Sequence, residues 1–375
     1  MKICYLPKNI DASGFYRCFF PAGELSELGH EASAPPMAFS RNDGSPAHLV
    51  AGQLPDGWVN ASFGEWPERD IYVFQMPLDE GAPGIVDQLH KAGKKVVVEL
   101  DDDYLHLPPY NPFNGDSKPM HKCVEKADAV SVSTPSLKRS YKHLNKNIEV
   151  LRNRLYWPMW DEITPVYEQS WRKVRLGYMG ILDYHSADLD VIRPWFGKWL
   201  ARHPETEFVA AGDPRVHDYL GVPEGQRVTT DAVDYRHLEL AYVTAVFDIG
   251  LVPLAKNRFN EGKSYLKGLE YSACGIVPVC TPSGQYRELV SEGQDGFLPD
   301  VARDWIAVLD KLVSDRQEVR RIGMGARSKA STWTYQRHIQ EWLDFYEPLS
   351  QPDLLWNSDD HHPVTAGARA STSGV

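Results

Sequence analysis

Within KSYLKGLEYSACGIVPVC (263–280), Lys263, Lys267 and Glu270 have the types and spacing to bind an anion. At about 100° per residue, positions i, i+4 and i+7 superpose. The spacing therefore predicts one narrow charged stripe on a helix. Leu266, Leu269 and Ala273 would form a second stripe a quarter-turn away, against a sheet. The charged stripe works against its own helix. The lysines are like charges at i,i+4, and Glu270 follows its lysine, the weaker order for a pair. Two cations in a first turn also oppose the helix dipole, at about 0.3–1 kcal/mol each. An anion at that helix end reverses both effects. The stripe reads as half of an anion site, and the rest of the chain must supply the other half.

Composition limits what such a site serves. The chain has 375 residues and a net charge of −11. That length exceeds the usual single core, so two domains are expected. The negative charge argues against broad nucleic-acid affinity, which needs a basic footprint. Cys4, Cys18, Cys123, Cys274 and Cys280 are odd in number and lack metal-type spacing, as small apolar residues of a reduced protein would. MKICYLP runs straight into a strand pattern without the apolar region of a signal peptide. No apolar run approaches the ~20 residues that span a membrane. A cytoplasmic protein without stable membrane insertion is expected.

Alternating strand and helix signals must position the charged residues. KICYL (2–6) reads as a strand, followed by the Gly-containing loop PKNIDASGFYR and a helix carrying Phe19, Leu25 and Leu28 that ends at Gly29. DIYVFQMP (70–77), KKVVVEL (94–100) and AVSVST (129–134) read as strands, the second with the β-branched run of a strand buried on both faces. Helices are expected at 85–92 and 135–144, and IEVLRN closes this half. Residues 156–173, rich in Trp, Pro and charge, form the expected linker. The pattern then restarts with strands at 174–180, 206–212, 246–253 and 275–280, and helices at Asp188–His203, at Arg236–Thr244 and on the lysine-bearing segment. The expected fold is α/β, with two doubly wound parallel-sheet, Rossmann-like domains (1–155 and 174–332) facing a central cleft. A last helix, 333–348, places Ile339, Trp342, Leu343 and Tyr346 on one face and is expected to cross back to the N-terminal domain. Residues 349–375 have the composition of a flexible tail.

Taken in order, the motifs of roughly residues 174–300 resemble the donor-site region of GT-B glycosyltransferases, in particular the retaining family-4 type. The matching positions are Asp248 and Pro253 along one strand, Glu270 on the following helix, and Ala273-Cys274-Gly275 at its end. Ile276–Cys280, Ser283-Gly284, Glu288 and Gly296-Phe297-Leu298 complete the set. The compact DDD and KS…LK…E signatures resemble divergent members from phages and other mobile elements. The resemblance implies transfer of a sugar from a nucleotide-diphosphate donor to an acceptor hydroxyl, with retention of configuration. It leaves the acceptor open among a protein, a glycan, a small molecule and a modified nucleobase, and leaves the oligomeric state open too.

Carried over residue by residue, the family's second acidic position falls on Glu270, which would hold the donor ribose. A carboxylate can accept two hydrogen bonds from a vicinal diol. The first acidic position falls on Gly262, and the nearest acid, Glu261, is one residue out of register. The family's Arg and Lys after the first strand of the second domain are missing from GILDYHSAD. Lys263 and Lys267 are the expected replacements, with Arg258 on the same loop and Arg17 from the other domain. A charge-assisted hydrogen bond contributes about 1.5–3 kcal/mol, more than the few tenths lost to like-charge repulsion. The two lysines would then stabilise the departing diphosphate, with no cofactor and no metal required. His185, in the loop lacking cations, either contacts phosphate or packs as an ordinary residue. Gly14 would let the backbone approach the donor, and Arg17 would reach it bidentately. Ser283 and Gly284 fall near the sugar. Asp102 or Asp103, at the end of a central strand, would position or deprotonate the acceptor hydroxyl. The three consecutive aspartates can also be read as a helix cap or a structural cluster. A divalent cation is the less favoured reading, since consecutive residues face one ion only if the backbone turns sharply. A sugar-nucleotide epimerase of the same fold is an alternative. So is an inactive binding or scaffold protein, which the displaced acid and missing Arg/Lys pair favour.

Overall fold

The β-branched runs become the middles of two parallel sheets. The computed structural model describes residues 1–8, 12–34, 38–40, 46–48, 68–111, 115–169, 173–230 and 246–350. The expected helix at Arg236–Thr244, residues 9–11 of the first loop and the tail beyond Ser350 lie outside them. The first sheet contains β1 (Lys2–Leu6) and β2 (Glu31–Ser33). After a separate antiparallel hairpin of β3 (Ala38–Ser40) and β4 (Pro46–His48), it continues with β5 (Ile71–Gln75), β6 (Lys95–Leu100), β7 (Ala129–Val132) and β8 (Ile148–Val150). Its order is β2-β1-β5-β6-β7-β8, all parallel. The second sheet contains β9 (Val174–Met179), β10 (Thr206–Ala211), β11 (Arg227–Thr230), β12 (Ile249–Val252) and β13 (Val277–Cys280), in the parallel order β11-β10-β9-β12-β13. Strands β5, β7, β12 and β13 are buried along their whole length, as helix-covered parallel strands are.

Each sheet reverses its strand order once, between β1 and β5 and between β9 and β12. Crevices open beyond the carboxyl ends of strands at such points. The loops leaving β1, β9 and β12 therefore line the cleft, and they carry most of the residues singled out from the sequence.

One pair of glycines seats the helix that carries Lys267 and Glu270. Gly177 and Gly250 pair across β9 and β12. A Cβ on Gly177 would lie 2.2 Å from the Phe247 ring, and one on Gly250 2.2 Å from Tyr271. Without those side chains, the two rings pack edge to face at 5.2 Å. The Tyr271 hydroxyl also accepts a hydrogen bond from the Met179 N–H at 2.9 Å. The helix Leu266–Ala273 is thereby fixed on the sheet, and with it Lys267 and Glu270.

Two local expectations need correcting. The single helix expected at Asp188–His203 is two helices, Leu182–Leu189 and Arg193–Arg202. Pro194 sits in the first turn of the second, where its missing N–H costs nothing but a continuous helix could not pass. Leu28, expected on the apolar face of its helix, is exposed at the helix end. The C-terminal helices Tyr335–His338 and Gln340–Ser350 lie against the N-terminal half. The Tyr335 hydroxyl donates to the Tyr16 carbonyl, Tyr346 meets Tyr5 edge-on at 6.1 Å, and Arg154 pairs with Glu341 at 2.8 Å. One apolar cluster runs from Ile3 and Tyr5 through Leu155 and Trp160 to Leu269, Tyr335 and Trp342. The two sheets thus share a core beside the cleft. No helix among the described residues is long and apolar enough to cross a membrane.

Candidate active site

The charged segment folds differently from the continuous stripe expected. A short helix, Arg258–Glu261, is followed by a turn, and the next helix begins only at Leu266. Lys263 therefore precedes the helix, while Lys267 lies in its first turn and Glu270 one turn on. Tertiary contacts break the stripe. The Asn257 side chain caps Asn260. Asn260 donates to the buried Asp188 at 2.7 Å, and the Gly262 carbonyl accepts from Thr134 of the other domain at 3.1 Å. A Cβ on Gly262 would crowd the Phe259 carbonyl at 3.1 Å and Leu137 at 3.2 Å. A side chain at this position would have to push those neighbours aside by a few tenths of an ångström. Glu261 beside it is exposed, as is Arg258.

Lys263 spans the cleft to Asp102 at 2.7 Å. Burial opposes its charge, yet Asp102 and Asp101 hold its pKa above the ordinary lysine value. Lys267 differs: it forms no salt bridge with any described residue. Its Nζ lies 4.4 Å above the Tyr178 ring and 3.4 Å from that hydroxyl. Burial pulls its pKa down to about 8, against the favourable pull of Asp188 and Glu270. A half-buried ammonium at a helix amino terminus without a side-chain cap is a positive centre short of an anion. Glu270 is buried and accepts a hydrogen bond from Tyr16 of the N-terminal domain at 2.9 Å. Gly284 adopts φ +51°, and a Cβ there would lie 3.2 Å from the carbonyls of Asn260 and Lys263. It buttresses the lysine loop rather than lining open space. The neighbouring Ser283 hydroxyl is buried and takes no hydrogen bond among the described residues.

The N-terminal residues require the larger corrections. Gly14 is not in an open loop. It ends a helical turn, Ala12–Gly14, with φ −62°, and leads into a π-helical turn, Phe15–Phe19. Arg17 is 2 % exposed and turned inward. Its Nε donates to Glu99 at 2.6 Å, and its Nη1 to the Leu151 carbonyl and Asn153 Oδ1 at 2.6 and 2.9 Å. Burial pushes the Glu99 carboxyl up to about 8 against the pull of Arg17, and these bonds turn the guanidinium away from the cleft. Asp103 is likewise committed, accepting from His106 at 2.9 Å, Ser140 at 2.8 Å and the Leu105 N–H at 3.2 Å. An acid so engaged positions the loop after β6 and has no oxygen to spare for a substrate proton.

The sequence reading passed over Asp101, the first of the three. No described residue hydrogen-bonds its carboxylate, and its Oδ1 is buried without a partner. Burial, and then Asp102, push its pKa up to about 6, against the pull of Arg17, Lys263 and Lys8. Its place directly after Leu100 was the available signal, because β6 ends there at the cleft. Tyr16 gave no signal at all. Its role depends on a partner 254 residues away.

These two sheets facing one cleft are the GT-B glycosyltransferase fold, as the sequence resemblance implied. No family model matches the chain. It is 32% identical over 110 residues to D-inositol 3-phosphate glycosyltransferase of Stackebrandtia nassauensis. That stretch is 29% of this chain and 24% of the relative, so the match spans about a quarter of the curated protein's length. Among solved structures, sucrose-phosphate synthase from Thermosynechococcus elongatus superposes with a TM-score of 0.64 at 13% identity, covering 93% of this chain and 99% of that one. Anabaena HepE in complex with UDP and glucose gives 0.62 at 16% identity, over 93% and 99%. A glycosyltransferase from Rickettsia africae gives 0.61 at 14% identity, over 92% and 97%.

Proposed function

We propose that this protein is a glycosyltransferase that takes its sugar from a nucleotide-diphosphate donor bound at the start of helix Leu266–Ala273. The observation that carries the reading is Lys267, a half-buried cation with no carboxylate partner among the described residues, one turn from Glu270. The diphosphate would lie against Lys267 and the helix amino terminus. Lys263 would join it by releasing Asp102, and Glu270 would take the ribose hydroxyls. In the transfer, the bond from the anomeric carbon to the diphosphate oxygen breaks and the acceptor oxygen bonds to that carbon. Charge developing on the departing diphosphate is met by the lysines, without a metal, and preorganised groups of this kind are usually the largest catalytic term. Asp101, at the end of β6 in the other sheet, would receive or orient the acceptor hydroxyl. A carboxylate titrating near 6 suits a base at neutral pH. Retention of configuration follows the family resemblance.

The test is a panel of UDP-, GDP-, ADP-, CDP- and dTDP-sugars, read by melting temperature and by slow release of nucleoside diphosphate. One donor should stabilise the wild type and be slowly hydrolysed, and both effects should vanish in Lys267→Met and Glu270→Ala. A protein that binds no donor and no nucleoside diphosphate would sink the proposal. Conversion of the nucleotide sugar without an acceptor would make it an epimerase.

A further inference from the structure

His185 sits in the loop and helix after β9, the segment with no Arg or Lys, and it is built into the cleft wall. Its Nδ1 lies 3.1 Å from Asp188 Oδ2. The other Asp188 oxygen accepts from the Ala255 N–H at 2.9 Å and from Asn260 at 2.7 Å. Burial opposes the Asp188 charge, but the bond from His185 and the other two keep its carboxyl below the usual range. A carboxylate can only accept, so Nδ1 carries the hydrogen and Nε2 is left with a lone pair. The imidazole meets the Tyr178 ring edge to face at 6.3 Å, and Lys267 sits over that same ring. One wall of the cleft therefore holds both the uncompensated ammonium and the imidazole. The groups acting on His185 are Asp188 on its own helix, Tyr178 on β9, and Lys263 and Lys267 on the segment after β12. Burial first, and then Lys267, push the pKa of His185 down to about 4. It is neutral in the empty cleft.

A neutral Nε2 turns a lone pair toward any phosphate oxygen, which is repulsive. We propose that donor binding protonates His185, so that its imidazolium donates from Nε2 to the diphosphate as a cation present only when the ligand is. The inference rests on the donor-site reading above. Burial is the larger cause of the low pKa; the diphosphate removes the next one by neutralising Lys267 and sets negative charge opposite Nε2, while Asp188 at Nδ1 favours the charged ring. The proton comes from solvent, and no covalent bond changes. The empty cleft thus avoids crowding three cations, and the third charge appears only opposite a diphosphate.

Isothermal titration of the wild type with the sugar nucleotide that binds in the panel, at pH 7 in buffers of different ionisation enthalpy, counts the protons taken up. A sugar nucleotide itself has no phosphate group titrating near neutrality. Close to one proton per donor is expected. Lys267, titrating at about 8, contributes only about a tenth of a proton at pH 7. In His185→Gln the uptake should vanish while donor binding persists, weakened. Histidine ring NMR of the wild type should show one imidazole becoming imidazolium on adding donor, a readout that does not depend on the variant folding. Donor binding without proton uptake, or with uptake unchanged in His185→Gln, overturns the role of His185 and leaves the donor site standing. If no sugar nucleotide binds, the donor site itself fails and this inference with it.

Discussion

Arg17 and Lys267 are both cations at the junction of the two sheets, and both looked from the sequence like phosphate ligands. Arg17 lies against Glu99, a main-chain carbonyl and an asparagine. Among the described residues, Lys267 touches only the face and hydroxyl of a tyrosine. The difference separates a charge spent on the fold from one available to the proposed donor. A buried charge held by several hydrogen bonds holds the fold together, and removing it strands its partners. One left short of partners is held at an energetic cost, which a ligand can offset. The same contrast divides the aspartates: Asp103 is tied to His106 and Ser140, whereas no described residue ties the Asp101 carboxylate.

The contrast breaks first, and by the largest effect, at Arg17. Arg17→Ala strips the buried Glu99, the Leu151 carbonyl and Asn153 of their shared donor, and chemical denaturation should show a loss of about 3–5 kcal/mol. The double variant Arg17→Met with Glu99→Leu should recover most of it. A stable Arg17→Ala protein with failed donor binding would reverse the assignment. Lys267→Met should do the opposite, lowering donor turnover by about 10²–10³-fold while its melting temperature stays level or rises.

Asp101→Asn sharpens the comparison on the acceptor side, with kcat expected to fall about 10²-fold. The pH profile of kcat/KM provides a further check. Asp101, raised to about 6, is a base only above that pH, and Lys267, lowered to about 8, is a cation only below it. The wild type should show a bell between those limits, and Asp101→Asn should lose the acid limb. Asp103→Asn should keep that limb. The smallest effect is expected from Tyr16→Phe, which removes one hydrogen bond to Glu270 across the domains. Loss of about 1.5 kcal/mol should appear as a roughly tenfold higher donor KM with kcat little changed.

Much of the fold was legible because it is written in local periodicity. The β-branched run at 95–100 and the alternation of strands with helices required two parallel sheets, and ligand position follows from where strand order reverses. That Lys267 and Glu270 share one helix was legible because they lie three residues apart. Where the reading failed, a distant residue had intervened. Pro194 divided one expected helix locally, but Lys263, expected on a helix, lies before it and pairs with Asp102 of the other domain.

The sequence by itself determined the fold class, the cleft and the supply of charges around it, since these depend on patterns a few residues long. Only the tertiary structure decided which charges are already paired. Arg17 and Glu99 are 82 residues apart, Lys263 and Asp102 161, and Tyr16 and Glu270 254. Pairing depends on distances of a few ångströms, and the packing of the two sheets sets them.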